Sequence, residues 1–215
     1  MIKLLDILEN KILVPRRSAE ERSANFLIAT QKKIQQYIKD GSKGDLDLKD
    51  TPITSLPDNL KVGRDLNLRN SKITSLPNNL QVGGYLSLID TPITSLPDNL
   101  KVGGGLLLND TKITSLPDNL QVGFYLDLIN TPITSLPDNL KVGGFLNLRN
   151  TPITSLPNNL QVGGNLILSN TPITSLPNNL QVGRNLYLED TPLSKKYSEE
   201  EIRKMVPGVK GEILL

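Results

Sequence analysis

Three aspartates near the start of the chain could, by their type and spacing, do chemistry. Asp45 and Asp47 alternate along one short segment, and Asp65 follows Asp45 at an interval of 20 residues. If the two segments are adjacent strands, the carboxylates of Asp45 and Asp65 lie about 5 Å apart. They could then share a hard cation such as Ca²⁺, or act as the acid and base of a glycoside hydrolase. No sugar-stacking aromatic residue accompanies them, so we favour solvated acidic side chains over either site.

The composition excludes most other catalytic chemistry. The 215-residue chain contains no cysteine and no histidine. Thiolate nucleophiles, disulfides, histidine bases and the usual histidine-centred zinc sites are therefore absent. The net charge of +2 is too small an imbalance to favour nucleic-acid binding. We predict a protein that is not an enzyme, holds no cofactor and binds no nucleic acid.

The aspartates belong to a 20-residue repeat. The sequence Thr91–Asp110 recurs, lightly varied, seven times between Thr51 and Asp190. A fixed period of this length predicts a solenoid of stacked coils. In each repeat, Gly-x-Leu-x-Leu has the alternation of a short strand, and the prolines that follow exclude a regular helix. The six apolar positions that we expect to face inward are, in one coil, Leu86, Leu88, Ile93, Leu96, Leu100 and Val102.

The pattern Leu-x-Leu-x-x-Thr-x-Ile-x-x-Leu-Pro resembles the leucine-rich repeat, with Thr in place of the usual Asn or Cys. Its length and its Leu-Pro resemble the short bacterial type found in secreted effectors, and the chain is also similar to repeat proteins of large bacteriophages. The resemblance implies a right-handed α/β solenoid, with short parallel strands on a concave face and irregular convex arcs. Such effectors often carry a cysteine-dependent ubiquitin-ligase domain, which a chain without cysteine does not imply.

The segments that flank the repeats predict two caps, and thus three regions: 1–43, 44–193 and 194–215. In the first, residues 2–9 predict a short helix, and a capping box at Ser18 and Glu21 begins a longer one that ends at Asp40. We expect the apolar side of this longer helix to cover the first coil. That side comprises Phe26, Leu27, Thr30, Ile34, Tyr37 and Ile38. Lys32, Lys33, Lys39 and Lys43 form either a solvated face or a phosphate-binding patch.

The C-terminal region predicts a helix and a final strand. Ser198 and Glu201 form another capping box, and the helix should end before Pro207. Residues 211–215 repeat the strand pattern, with Ile213 and Leu215 expected to face inward. At the other end of the chain, acidic residues interrupt the first apolar run, which is a poor signal peptide and too short to span a membrane. We expect a cytoplasmic protein without membrane contact, as a monomer or weak dimer.

Two further expectations concern the coil itself. Gly103 stands at an unvarying corner where a positive φ would favour glycine. Gly104 stands where other coils have Arg64 or Phe124, so alanine should be harmless there. The Thr91 hydroxyl is expected to hydrogen-bond the backbone of a neighbouring coil.

The repeats differ from one another mainly at the outward-facing strand residues. Apolar and aromatic residues collect at the centre of this face, which is typical of a protein-binding patch. The candidate partner-binding residues are Tyr85, Ile89, Leu107, Phe124, Tyr125, Ile129, Phe145, Arg149, Ile167 and Tyr187. Sequence drift on an unconstrained surface would give similar variation. The alternative functions are a structural spacer or assembly protein, phage-encoded or not, that makes its contacts through the caps, and an enzyme that depends on Asp45 or Asp65.

Overall fold

A computed structural model describes residues 18–138 and 140–215. The repeats stack as a solenoid in which each coil contributes one strand to each of two parallel sheets. The fold class predicted from the repeat is therefore confirmed. The helix expected at residues 2–9 lies outside the described residues. Within the described ranges, no helix is long and apolar enough to cross a membrane.

The first sheet has nine two-residue strands in the order β1-β3-β5-β7-β9-β11-β13-β15-β16. From β1 to β15, neighbouring strands pair one repeat apart, so that Leu46 pairs with Leu66 and Leu66 with Leu86, whereas Leu186 on β15 pairs with Ile213 on β16. The final strand was predicted from residues 211–215 and is present. The strands are β1 (Leu46–Asp47), β3 (Leu66–Asn67), β5 (Leu86–Ser87), β7 (Leu106–Leu107), β9 (Leu126–Asp127), β11 (Leu146–Asn147), β13 (Leu166–Ile167), β15 (Leu186–Tyr187) and β16 (Ile213–Leu214).

The second sheet was not predicted, because a Lys-Val or Gln-Val pair is too short to show strand alternation. Its seven strands each place a valine in the core and a lysine or glutamine in solvent. The rest of each arc is irregular, as expected from the one or two prolines that it contains. The strands are β2 (Lys61–Val62), β4 (Gln81–Val82), β6 (Lys101–Val102), β8 (Gln121–Val122), β10 (Lys141–Val142), β12 (Gln161–Val162) and β14 (Gln181–Val182).

The core is a continuous column of the predicted inward residues. Leu86, Leu88 and Ile93 are fully inaccessible, and Leu96, the most accessible of the six, is only 8% exposed. The column runs from the first coil to Ile213 in the last strand. Because a single coil cannot bury these side chains against itself, stacking supplies most of the apolar burial that stabilises the fold.

The sharp turn after each strand of the first sheet from β1 to β15 is made by Asn or Asp. Asp90 and Asp110 have φ values of 57° and 59°, in the left-handed region that Asn and Asp tolerate better than most residues. Where the turn residue is Asn, its side-chain amide donates to the turn residue of the preceding coil, which builds a ladder along part of the solenoid. Asn130 Nδ2, for example, donates to Asp110 Oδ1 at 2.8 Å, and Asn150 Nδ2 donates to Asn130 Oδ1 at the same distance.

The expectation that Gly103 is needed at its corner for a positive φ was wrong. Gly103 has no positive φ; among the described glycines, only Gly41 and Gly44 do. Gly103 is required by close approach instead, because a Cβ there would lie 2.3 Å from the carbonyl oxygen of Gly83. A Cβ on Gly104 would lie 2.7 Å from a backbone carbon of the preceding coil, so the expectation that alanine is harmless there is also unsupported.

The threonine at the start of each arc bonds within its own coil and not, as expected, to a neighbour. Thr91 Oγ1 donates to the carbonyl of Leu88 at 2.6 Å, and the hydroxyl is buried. Ser71 replaces threonine in one coil. Its Oγ is buried and has no hydrogen-bond partner among the described residues.

Helix α1 (Ala19–Lys39) begins at the predicted capping box of Ser18 and Glu21. Its contact face is narrower than predicted. Thr30 and Ile34 are buried and Tyr37 packs against the core, while Phe26 is 48% and Ile38 39% exposed. Thr30, Ile34 and Tyr37 are spaced by four and then three residues, which keeps them on one side of the helix. Phe26 and Ile38 lie at the two edges of that side. The ammonium group of Lys33 donates to the carbonyl of Asp47.

Two short helices, α2 (Pro192–Lys196) and α3 (Glu199–Met205), follow the last full coil. Helix α3 has the predicted capping box at Ser198 and Glu201, whereas α2 was not predicted. Ile213 is buried as expected. Leu215 is 43% exposed, so its predicted inward position was wrong: strand β16 ends one residue earlier and no pairing fixes the last side chain.

Candidate functional site

The strand face is the outward surface of the first sheet and consists of three rows of side chains. Each row is built by residues that alternate with the buried leucines, so the same pleat that fills the core sets the face. The first row precedes the strands at Asp45, Asp65, Tyr85, Gly105, Tyr125, Phe145, Asn165 and Asn185. The second is Asp47, Asn67, Ser87, Leu107, Asp127, Asn147, Ile167 and Tyr187. The third is Lys49, Arg69, Ile89, Asn109, Ile129, Arg149, Ser169 and Glu189.

Four rings form an aromatic cluster at the centre: Tyr85, Phe124, Tyr125 and Phe145. Tyr125 and Phe145 stack with their centroids 4.1 Å apart and 20° between their planes. Phe124, at the corner before the strand, tilts against Tyr125 at 4.3 Å. Phe124 is 48% and Tyr85 38% exposed, while Tyr125 and Phe145 are half-buried against their neighbours. The sequence predicted all four residues, and the structure brings them into contact.

A residue that the sequence did not single out allows Tyr85 to join the cluster. Tyr85 and Tyr125 are two strands apart, yet their ring centroids are 6.0 Å apart. Gly105 stands between them, and a Cβ there would lie 2.8 Å from two ring carbons of Tyr85. The absence of a side chain at Gly105 therefore leaves the space that the Tyr85 ring occupies as it approaches Tyr125. The sequence signal was present in the row Tyr-Gly-Tyr, but one glycine gave no reason to infer contact.

The other predicted residues lie on the same face. Arg149 is exposed. Tyr187 is on β15, and its ring makes no aromatic contact among the described residues. The half-buried members of this set are Ile89, Leu107, Ile129, Ile167 and Tyr187.

The first row also links the coils by hydrogen bonds, except at its centre. Asp65 Oδ1 accepts the backbone N–H of Tyr85 at 2.8 Å, and Asn165 Oδ1 accepts that of Asn185 at 3.2 Å. The rings of Tyr85, Tyr125 and Phe145, and glycine between them, present no oxygen at this place. The central coils thus lack a bond that the outer coils make.

The aspartates considered for catalysis or cation binding are engaged in other contacts. Asp45 Oδ1 accepts the N–H of Asp65 at 3.2 Å and lies 3.7 Å from Arg64 Nε. Asp47 Oδ1 accepts the N–H of Lys49 at 3.1 Å. In the ranges 18–138 and 140–215, no three acidic side chains converge as a metal site would require. The structure therefore gives no support to a cation site at these residues.

Asp127, in the second row, has an unusual environment. Burial raises the pKa of its carboxyl, while hydrogen bonds from the Asn109 side chain and the Ile129 backbone lower it and do not compensate fully. The Oδ1 of Asn109 is itself buried without a partner among the described residues. A desolvated carboxylate and an unpaired amide oxygen thus lie side by side.

Beside the cluster, the structure forms a cleft of about 280 Å³ that the sequence did not predict. It is bounded by Phe124, Phe145, Asn165 and Arg184, with glycines at its base. The signal lay in the residues that precede the first row. In register these read Gly44, Arg64, Gly84, Gly104, Phe124, Gly144, Gly164 and Arg184, so that the Phe124 ring lies between two glycine pairs and an arginine follows each pair on its outer side.

The fold is a leucine-rich-repeat solenoid. No protein-family model matches the chain, and no curated protein matches it significantly. Among solved structures, the chain is similar to a leucine-rich-repeat protein of Leptospira interrogans, at 22% sequence identity and a TM-score of 0.36. The match covers 78% of the present chain and 59% of that protein. The period, the parallel register and the buried leucine column of the present structure define the fold, independently of this likeness.

Proposed function

We propose that this leucine-rich-repeat chain is a non-enzymatic recognition module that binds a partner protein through the strand face. The aromatic cluster is the observation that carries the proposal. Three of its rings, Tyr85, Tyr125 and Phe145, occupy the positions at which aspartate or asparagine elsewhere bonds the next coil. Each such hydrogen bond contributes about 0.5–1.5 kcal/mol. Selection for stability alone would favour aspartate or asparagine throughout the row, so the rings are better explained by contact with a partner.

The arrangement of the face agrees with this role. Interfaces typically place aromatic residues at a desolvated centre within a polar rim. Here the rings lie at the middle coils, with Asp45 and Asp47 toward one end and Arg149 and Arg184 toward the other. Nine strands at about 4.8 Å give a face roughly 40 Å long, which is enough for a standard interface.

An enzymatic function has less support. Asp45 and Asp65 hold the backbone of the next coil, and Asp45 also pairs with Arg64. These contacts give both carboxylates a structural role. No histidine or cysteine is available to take over a catalytic one.

The test is a pull-down from native lysate that compares wild type with substitutions on the two sides of the coil. Phe124→Asp and Phe145→Asp place a charge in the cluster and should remove the partner, while the melting temperature changes little because neither ring belongs to the leucine column. Lys101→Glu, exposed on the opposite sheet, should bind as wild type does. Binding that survives both ring substitutions, or is lost with Lys101→Glu, would contradict the proposal and favour contacts through the caps.

A further inference from the structure

The cleft beside the aromatic cluster has an apolar end and a cationic end. Phe124 stands at one end and Arg184 at the other, three coils away, which is about 14 Å between Cα atoms. Gly144 and Gly164 form the base. A Cβ on Gly144 would lie 2.6 Å from the Phe124 carbonyl oxygen and 3.0 Å from the Tyr125 ring, so glycine keeps this groove open.

The polar groups along the cleft are mainly donors. Asn165 Oδ1 already accepts the N–H of Asn185 at 3.2 Å, which leaves its Nδ2 as the free group of the amide. Three of the carbonyls at the base are occupied as well. Those of Phe124, Gly144 and Gly164 accept the N–H groups of the next coil at 2.6, 2.7 and 3.0 Å. A ligand that bonds to Asn165 or Arg184 must therefore bring acceptors.

The guanidinium group of Arg184 has no acidic partner among the described residues. Arg64, the equivalent arginine on the other side of the aromatic cluster, has one. Arg64 lies 3.7 Å from the carboxylate of Asp45. Arg184 makes no ion pair with any residue of the ranges 18–138 and 140–215. The two arginines occupy the same register position and are both exposed. They differ chiefly in that a carboxylate neutralises the charge of Arg64 but not that of Arg184.

We propose that the cleft binds an acidic side chain of the partner protein at Arg184 and an apolar side chain of the same segment at Phe124. The inference rests on the proposed function and adds the chemistry of the partner. Guanidinium and carboxylate groups form two parallel hydrogen bonds, which favours a carboxylate over a neutral acceptor. An extended peptide rises about 3.3 Å per residue, so about 14 Å corresponds to about four residues, and side chains four residues apart also lie on the same face of an extended segment.

The experiment selects a displayed library of random linear peptides on the full chain, with counter-selection on Phe145→Asp. We expect enrichment of peptides that carry Asp or Glu four positions from a large apolar residue. Affinities of the enriched peptides are then measured for two matched variants. Arg184→Gln should weaken binding at least tenfold, and Arg64→Gln less than twofold, with unchanged melting temperatures in both.

The outcomes separate this inference from the proposed function. Peptides that depend on Phe145 but show no acidic preference, or bind Arg184→Gln as well as wild type, would overturn the assigned chemistry and leave partner binding by the face intact. Failure to enrich any peptide over the Phe145→Asp background would also overturn it. In that case the pull-down with the ring substitutions still decides whether the face binds a partner.

Discussion

Asp127→Asn is expected to stabilise the protein at neutral pH. Burial raises the pKa of the wild-type carboxyl, and Asn109 Oδ1 beside it lacks a donor among the described residues. Asparagine would remove the charge that burial disfavours, and with the Asn109 amide turned over its Nδ2 could donate to that oxygen in place of the hydrogen bond that Asn109 now donates to the carboxylate. It should also keep the bond to the Ile129 N–H, because Asn67 and Asn147 in the same row accept the N–H two residues on at 3.1 Å.

The expected gain follows from these contacts. One hydrogen bond with Asn109 replaces another, so the gain comes mainly from removing a partly desolvated charge, and solvent screening keeps it small. We therefore expect the free energy of unfolding to rise by about 1 kcal/mol at pH 7. Urea denaturation of wild type and variant, monitored by circular dichroism, measures this difference.

The pH dependence gives the sharper test. Because the folded-state pKa of Asp127 is raised, the unfolded chain loses this proton first as pH rises. Asp127 therefore destabilises the wild type increasingly from its ordinary pKa, near 3.9, up to the raised pKa of the folded state. At about pH 3 the protonated carboxyl can donate to Asn109, and the gain from asparagine should fall below about 0.5 kcal/mol.

The control is Asp47→Asn, in the same row but exposed, which should change stability by less than about 0.5 kcal/mol at either pH. The reasoning about Asp127 is refuted if its substitution destabilises the protein at pH 7. It is equally refuted if the gain is the same at both pH values.

Three further predictions concern the stacking of coils. Ser71→Thr should raise the free energy of unfolding by about 1–2 kcal/mol, since the hydroxyl would gain the carbonyl partner of the other coils and the methyl group would be buried. Asp110→Asn should add about 0.5–1.5 kcal/mol by giving the ladder a donor to Asp90. Gly103→Ala should cost about 2–3 kcal/mol and Gly104→Ala about 1 kcal/mol, because both meet backbone and the first approach is closer.

Denaturant titrations decide all three. Thr91→Ser, the reverse of the first change, should lose what Ser71→Thr gains, and a neutral result for both would show that the threonine hydroxyl does not matter. For the ladder, equal stability of Asp110→Asn and wild type would mean that solvent replaces the missing bond. Equal losses at Gly103 and Gly104 would contradict the difference in their contacts.

The sequence was informative wherever one position recurs in every coil. The alternation around Leu86 and Leu88 predicts both the core and the outward rows, because burial follows directly from the pleat. Capping boxes at Ser18 and Ser198 likewise predict helix starts, since their hydrogen bonds are local. These features depend on spacing along the chain and need no knowledge of three-dimensional contacts.

Features that depend on contacts between coils were predicted less well. The left-handed turn residue is Asp90, whereas Gly103 is needed for its closeness to the preceding coil; spacing alone does not distinguish these reasons. The approach of Tyr85 to Tyr125 across Gly105 involves residues from three coils, and the cleft at Arg184 is likewise formed by residues from several coils. Reading the rows across coils, rather than each repeat along the chain, would have brought these residues together.

Site-specific photocrosslinking tests the proposed binding face most directly. Benzoylphenylalanine is placed at Phe124 in one variant and at Lys101 in another, and each is irradiated in native lysate. Binding through the strand face predicts a discrete protein adduct from position 124 that Phe145→Asp abolishes, and none from position 101. An adduct from position 101 alone, or one from position 124 that persists with Phe145→Asp, would contradict recognition by the aromatic cluster.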